Sequence, residues 1–241
     1  MRNEAVAGSF YPAAPSKLRS MIASMLDRAV ADDDAARAVD TFIVVGPNHT
    51  GYGMPISVSA DDWKTPLGVV KNDTELSSML AEHDGISIDE TAHALEHSVE
   101  VQLPFLQSVV SRPRCVFVCM GDQSIASSEL LAGAIIDASN KLSRKVLVIA
   151  SSDFNHYESA EVARAKDMPA IEALLGLDYR SFNKILREKD DTACGYGPIT
   201  VAALFSISYG AKGAKLLKYS NSGEATGDYR SVVAYSSIMF L

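Results

Sequence analysis

Four short segments of this 241-residue chain concentrate the side chains that bind metals or move protons. The first is Gly46-Pro47-Asn48-His49-Thr50-Gly51, where glycine and proline fix the backbone around one imidazole. Such a mount suits a metal ligand or an acid/base group, although a lone loop histidine also serves structure alone. The second is Ser151-Ser152-Asp153-Phe154-Asn155-His156-Tyr157, in which Asp153 could hold the tautomer of His156 and make it an oriented base. A nucleophilic serine is disfavoured there because no Gly-x-Ser-x-Gly elbow exposes a hydroxyl, and the plain alternative is a capped turn leading into a helix. The third is Thr192-Ala193-Cys194-Gly195-Tyr196-Gly197-Pro198. With Pro198 at the first position of a helix, Cys194 lies just ahead of a helix N-terminus, where the dipole favours the metal-binding thiolate; a buried inert cysteine is the plain alternative. The fourth, His93-Ala94-Leu95-Glu96-His97, spells the His-x-x-Glu-His zinc pattern of inverted metallopeptidases. That pattern works only on a helix, and Ser98 is placed to N-cap a helix beginning at Val99, which would leave His97 in the preceding loop.

The elements that must position these segments alternate in type. Apolar β-branched runs at 41–45, 115–120 and 145–150 read as central strands buried on both faces, and each runs directly into a polar segment. Helical spacing is expected over 16–30 with Ser16 as N-cap, and over 75–82, 99–110, 127–142 and 160–175; residues 215–219 and 231–241 read as a long hairpin. Strands alternating with helices imply a single-domain α/β layered sheet flanked by helices. Ligands of such sheets collect beyond the carboxyl ends of the strands, which is where His49, Asp122, Asp153 and His156 fall.

Composition narrows the function classes. With 22 Lys+Arg against 30 Asp+Glu, the net charge is −8, and 47% of residues are hydrophobic. An acidic chain without a basic cluster is a poor partner for nucleic acid or an anionic membrane surface. No run approaches the length of a membrane span and the first residues lack signal-peptide features, so a cytoplasmic location is expected. Cys115 and Cys119 lie in an apolar strand and read as buried thiols, while Asp32, Asp33 and Asp34 read as a solvated loop.

Taken in order, AVAGSFYP at 5–12, GPNHTGYG at 46–53, TPLG at 65–68, EHSVEVQLPFL at 96–106, SSDFNHY at 151–157 and CGYGPI at 194–199 resemble the Memo family, the Memo-like component of the AmmeMemoRadiSam system. The resemblance covers most of the chain. It implies an α/β fold like that of class III extradiol dioxygenases, with a pocket resembling their metal site and a redox or dioxygenase-like activity on an unidentified substrate. It implies His49 and Cys194 as metal ligands, Asp153 and His156 as catalytic pocket residues, and His97, Glu96 and Asn48 beside them. Iron or copper suits that soft, nitrogen-rich set better than zinc, and no organic cofactor is implied. The implied partners are a small molecule or peptide and other AmmeMemoRadiSam components; a non-catalytic module binding a peptide or small ligand in the same pocket is the rival reading, and a zinc peptidase the third. One departure stands out. The family's Pro-His-Ala-Gly-Tyr segment, which supplies a further metal-site histidine, has no counterpart here, where Arg37-Ala38-Val39-Asp40 runs straight into TFIVV. A facial set of three ligands would then need His97, His156 or Asp153 beside His49 and Cys194.

Overall fold

The computed structural model describes residues 1–26 and 39–241, so the end of the first expected helix and the Asp32–Asp34 loop lie outside the described residues. The chain segregates into two compact units, Met1–Asp122 with Ala134–Ser151, and Gln123–Gly133 with Ser152–Leu241. Both are α/β, and the larger sheet mixes parallel and antiparallel strands.

The first unit is built on β1 (Thr41–Pro47), β2 (Ile56–Ser59), β3 (Trp63–Thr65), β4 (Gly68–Asn72), β5 (Ser87–Ile88), β6 (Arg114–Met120) and β7 (Val146–Ala150). Their order is β3-β4-β6-β1-β7, with β2 pairing β5 and β6. β1 runs parallel to both β6 and β7. Its Ile43, Val44 and Val45 have no exposed surface, and each such burial is worth about 1.5–3 kcal/mol. β6 is equally buried beyond Arg114, but β7, also expected to be buried on both faces, closes the order and leaves Leu147 exposed. Phe42, Val44, Trp63 and Phe117 form a core with Leu103 and Leu106 of α3 (Leu103–Val109), a helix entered through a 3-10 turn at Glu100–Gln102, while α2 (Thr74–Leu80) buries Leu76 and Leu80. Ser98 does not cap that turn; its hydroxyl donates to the Pro47 carbonyl at 2.8 Å. The first helix, α1 (Pro15–Leu26), starts one residue before the expected cap, because Pro15 itself takes the first helical position, and it buries Leu18 and Ile22.

The second unit packs α5 (Ala160–Leu175), α6 (Tyr179–Glu188) and α7 (Tyr196–Ser208) with a three-stranded sheet, β8 (His156–Glu158), β10 (Val232–Phe240) and β9 (Ala214–Asn221), in the order β8-β10-β9. The β9–β10 pairing is antiparallel, as the expected hairpin requires, with the short α8 (Gly223–Thr226) in its connection. Between them in sequence, α4 (Ile125–Lys141) contributes its first residues to this unit and its last to the first. Phe154, Ile171, Leu174, Phe182 and Val201 are buried here.

Candidate functional site

Two groups of metal-capable side chains occur among the described residues, one in each unit: His49 with Glu96 and His97, and Asp153 with His156 and Cys194.

The first group depends on how β1 ends. Gly46 is packed so closely that a Cβ there would strike the Ser98 hydroxyl, and this approach brings the 96–98 segment against the strand end. Asn48 then folds the loop: its Oδ1 accepts from the Thr50 and Gly51 N–H groups at 2.9 and 3.0 Å, and its Nδ2 donates to the Tyr52 carbonyl at 2.7 Å. Asn48 is therefore a loop organiser, as Asn side chains commonly are in turns. Glu96, which has no exposed surface, accepts from the N–H of His49 at 2.5 Å, of His97 at 2.8 Å and of Ser98 at 2.9 Å, and pairs with His49 Nδ1 at 2.9 Å. Burial alone would push this carboxyl up; the His49 ring and the N–H donors outweigh it and hold it down at about 2. An ionised carboxylate only accepts, so His49 carries its proton on Nδ1, which makes Nε2 the ring's accepting nitrogen. The rings of His49 and His97 stack with centroids 4.6 Å apart.

Behind them, Arg2 clamps the segment: it donates to the His93 carbonyl, the Glu96 carbonyl and Glu100 Oε2, each at 2.7 Å, and lies over the Trp63 ring. Glu100, fully buried, also accepts from the Ala5 and Val6 N–H groups and the Tyr11 hydroxyl. This geometry removes the inverted zinc-peptidase pattern. Residues 93–97 run through a turn, bends and irregular chain rather than a helix, and His93 sits in the core against Trp63. Burial, then the Arg2 charge, push His93 down to about 4.

The second group is mounted on two backbone limbs. One is the stretch leading into β8. β8 pairs with β10 through an irregularity at Val232/Val233, and Tyr157 takes a left-handed φ of 65°. Such a φ strains a residue with a Cβ, and it leaves Tyr157 exposed beside a largely covered His156. The other limb is the turn into α7. That helix begins at Tyr196, with Gly195 as N-cap, so Pro198 occupies its third position rather than its first; the N–H it lacks is unneeded anywhere in the first turn. Cys194 thus immediately precedes the cap. Its sulfur accepts from the Asp153 N–H at 3.3 Å, and its own N–H donates to the Asp153 carbonyl at 3.2 Å. Thr192 Oγ1 accepts from the His156 N–H at 2.7 Å, which ties the limbs together. Ser152 Oγ accepts from the Gly195 N–H at 2.8 Å and is thus part of the scaffold.

Gln123 is a brace that sequence reading missed. Its Nε2 donates to the Cys194 carbonyl and its Oε1 accepts from the Gly197 N–H, both at 2.9 Å, and it packs so tightly on Gly197 that no Cβ fits there. The one sequence signal was its position just beyond β6. A cavity of about 420 Å³ adjoins this turn, lined by Gln123, Ser124, Asn183, Arg187, Asp191 and Tyr196 among others; Cys194 is not in its wall. Cys115 and Cys119 are buried in β6, where burial pushes the Cys115 thiol up to about 12.

The second group passes a simple test of fit. Two donors each about 2.1 Å from a shared ion lie roughly 3.4 Å apart at a tetrahedral angle; His156 Nε2 and Asp153 Oδ2 are 3.7 Å apart, and the three ligand atoms all fall within 4.8 Å of one another. Sulfur, imidazole and carboxylate together are a donor set that iron or copper accepts.

Comparison with known proteins agrees with the motifs. The family model described as Memo-like protein matches residues 32–239. A MEMO1 family protein of Methanosarcina barkeri is 40% identical, with 99% of each chain covered. One from Archaeoglobus fulgidus is 38% identical over 100% of this chain and 99% of its own length. One from Sulfurisphaera tokodaii is 42% identical over 83% of this chain and 72% of its own. The Archaeoglobus alignment runs to 263 positions against a chain of 241, so that relative carries residues with no counterpart here.

Proposed function

The chain belongs to the Memo family, and from that premise we propose that it is a metal-binding protein with a redox or dioxygenase-like activity on a small substrate, its centre built on Cys194, Asp153 and His156. The observation that carries the reading is the convergence of three chemically different ligand atoms on a backbone braced by Gln123, Thr192 and Ser152. Iron or copper, when bound, would supply one-electron and oxygen chemistry. The chain's own residues do the rest. Asp153 Oδ2 and His156 Nε2 lie 3.7 Å apart, and the Asp153 N–H holds the Cys194 sulfur. With Nε2 offered to the ion, the proton-moving role expected of His156 would fall to Nδ1, which Thr192 Oγ1 approaches at 3.5 Å. His49 is a proposed metal-site nitrogen in its own unit, through Nε2, because Glu96 fixes its Nδ1.

The 420 Å³ cavity favours a second reading, a small-ligand binding module without chemistry, since it lies within the usual range for such pockets. Elemental analysis of protein purified without a metal-chelating column separates the two. Stoichiometric iron or copper that falls in Cys194→Ser and in His156→Ala, with folding retained, supports the metal centre. Unchanged stoichiometry in both variants overturns it, and ligand binding indifferent to chelation establishes the module.

A further inference from the structure

Both limbs of the Cys194 centre are held from behind by one pair of acids. Asp167, on α5 and without exposed surface, accepts from the Asn155 N–H at 3.1 Å through Oδ1 and from the Tyr219 hydroxyl at 2.6 Å through Oδ2. Asn155 is the residue before His156. Asp191 Oδ1 accepts from the Ala193 N–H at 3.1 Å, and Ala193 is the residue before Cys194. The two carboxyls lie against one another, with Asp191 Oδ2 buried and no N–H or O–H donor on it. Two ionised carboxylates cannot make that contact, because each only accepts; one proton held between them completes it. The neighbouring cation does not substitute, since Lys166 donates to Glu158 at 3.0 Å and to the Asp190 carbonyl at 2.9 Å. Burial and the second acid both push the Asp167 carboxyl up, to about 8.

We propose that Asp167 and Asp191 share a single proton and act together as a positioning clamp, setting the backbone of His156 through Asn155 and that of Cys194 through Ala193. Neither acid is a ligand or touches the reacting atoms. That what they position is a working centre rests on the reading above. A pair carrying one charge instead of two also lowers the cost of placing acids in the interior, and it sets a specific expectation. Asparagine, which both donates and accepts, replaces the protonated member; alanine does not.

The test is the rate at which iodoacetamide alkylates Cys194 in the full-length protein as purified, with metal content measured on the same samples; Cys115 and Cys119 are buried and stay silent. Asp167→Asn and Asp191→Asn are expected to alkylate within about twofold of the parent chain. Asp191→Ala, which frees the Ala193 N–H, is expected to alkylate about tenfold faster or more as the turn opens locally, and to lose metal, with the circular dichroism spectrum retained. Asp191 is only partly buried, so this variant serves even where Asp167→Ala does not fold. Wild-type alkylation in Asp191→Ala overturns the clamp, and so does an asparagine variant as damaged as the alanine one. A parent protein without metal whose alanine and asparagine variants still differ overturns the metal reading and sustains the clamp; a metal-loaded parent whose variants do not differ overturns the clamp alone.

Discussion

Glu96 in the first unit and Asp167 in the second are equally buried, each with no exposed surface, and they ionise in opposite senses. Glu96 is held down at about 2 and Asp167 is pushed up to about 8. Desolvation opposes the charged form in both, so the difference lies in what meets the oxygens. Glu96 faces three backbone N–H groups and the proton of the His49 ring. Asp167 has one N–H, one hydroxyl and a second carboxyl. Donor count, more than depth, decides whether a buried acid acts as a fixed anion that orients imidazoles or as half of a proton-sharing clamp.

The largest expected effect comes from removing the fixed anion. Glu96→Ala strands the donors that converge on it and should cost about 3–5 kcal/mol in denaturant unfolding. Glu96→Gln keeps one acceptor oxygen but turns an NH₂ toward N–H groups, and should cost about 2 kcal/mol. A loss under about 1 kcal/mol in the alanine variant would mean that those hydrogen bonds are replaced by water, and the contrast with Asp167 would fail.

Next in size is the dependence on pH, which should differ in sign between the units. His93 is neutral in the folded chain down to about 4 but takes a proton at 6.5 when unfolded, so stability is lost as pH falls through that window, by up to about 3 kcal/mol at 1.36 kcal/mol per unit. Glu96 contributes stability that is present above 4.5 and lost as pH falls toward 2. Asp167 works the other way. The folded state keeps a proton that the unfolded state releases near 3.8, so stability is lost as pH rises toward 8, at no more than about 1.4 kcal/mol per unit. Urea midpoints from pH 4 to 8 should therefore show an acid limb that His93→Leu flattens and an alkaline limb that Asp167→Asn flattens. If Asp167→Asn leaves the alkaline limb in place, the shared proton belongs elsewhere.

The same two regions show what sequence could reveal. The strands that end just before His49 and Asp153 were legible because their apolar runs are continuous, and the family motifs pointed to His49, Cys194, Asp153 and His156. The edge position of β7 was hidden, since Leu147 looks like any core leucine until the strand order is known. The 93–97 pattern misled because periodicity cannot show that Arg2, ninety residues earlier, seizes the His93 and Glu96 carbonyls and holds the segment in a non-helical path. Asp167 sits in a helical stretch as an ordinary acid, and Asp191 follows Asp190 as an ordinary loop acid. Their pairing, like the brace from Gln123, is a long-range contact with no local signature.

The smallest effects sharpen the comparison within the second unit. Gln123→Ala removes two hydrogen bonds around the Cys194 turn and should cost about 1–2 kcal/mol. Ser159→Ala removes the hydroxyl that accepts from the Val162 N–H and caps α5, the helix that carries Asp167, and should cost about 1 kcal/mol. The losses are similar and the consequences should not be. Ser159 acts at a helix end that touches neither limb's brace, so its variant should alkylate Cys194 at the parent rate and keep its metal. Gln123 holds the carbonyl of Cys194 itself, so its variant should alkylate faster and bind metal less tightly at a matched stability. Equal alkylation rates would show that the Cys194 turn does not depend on the two hydrogen bonds from Gln123.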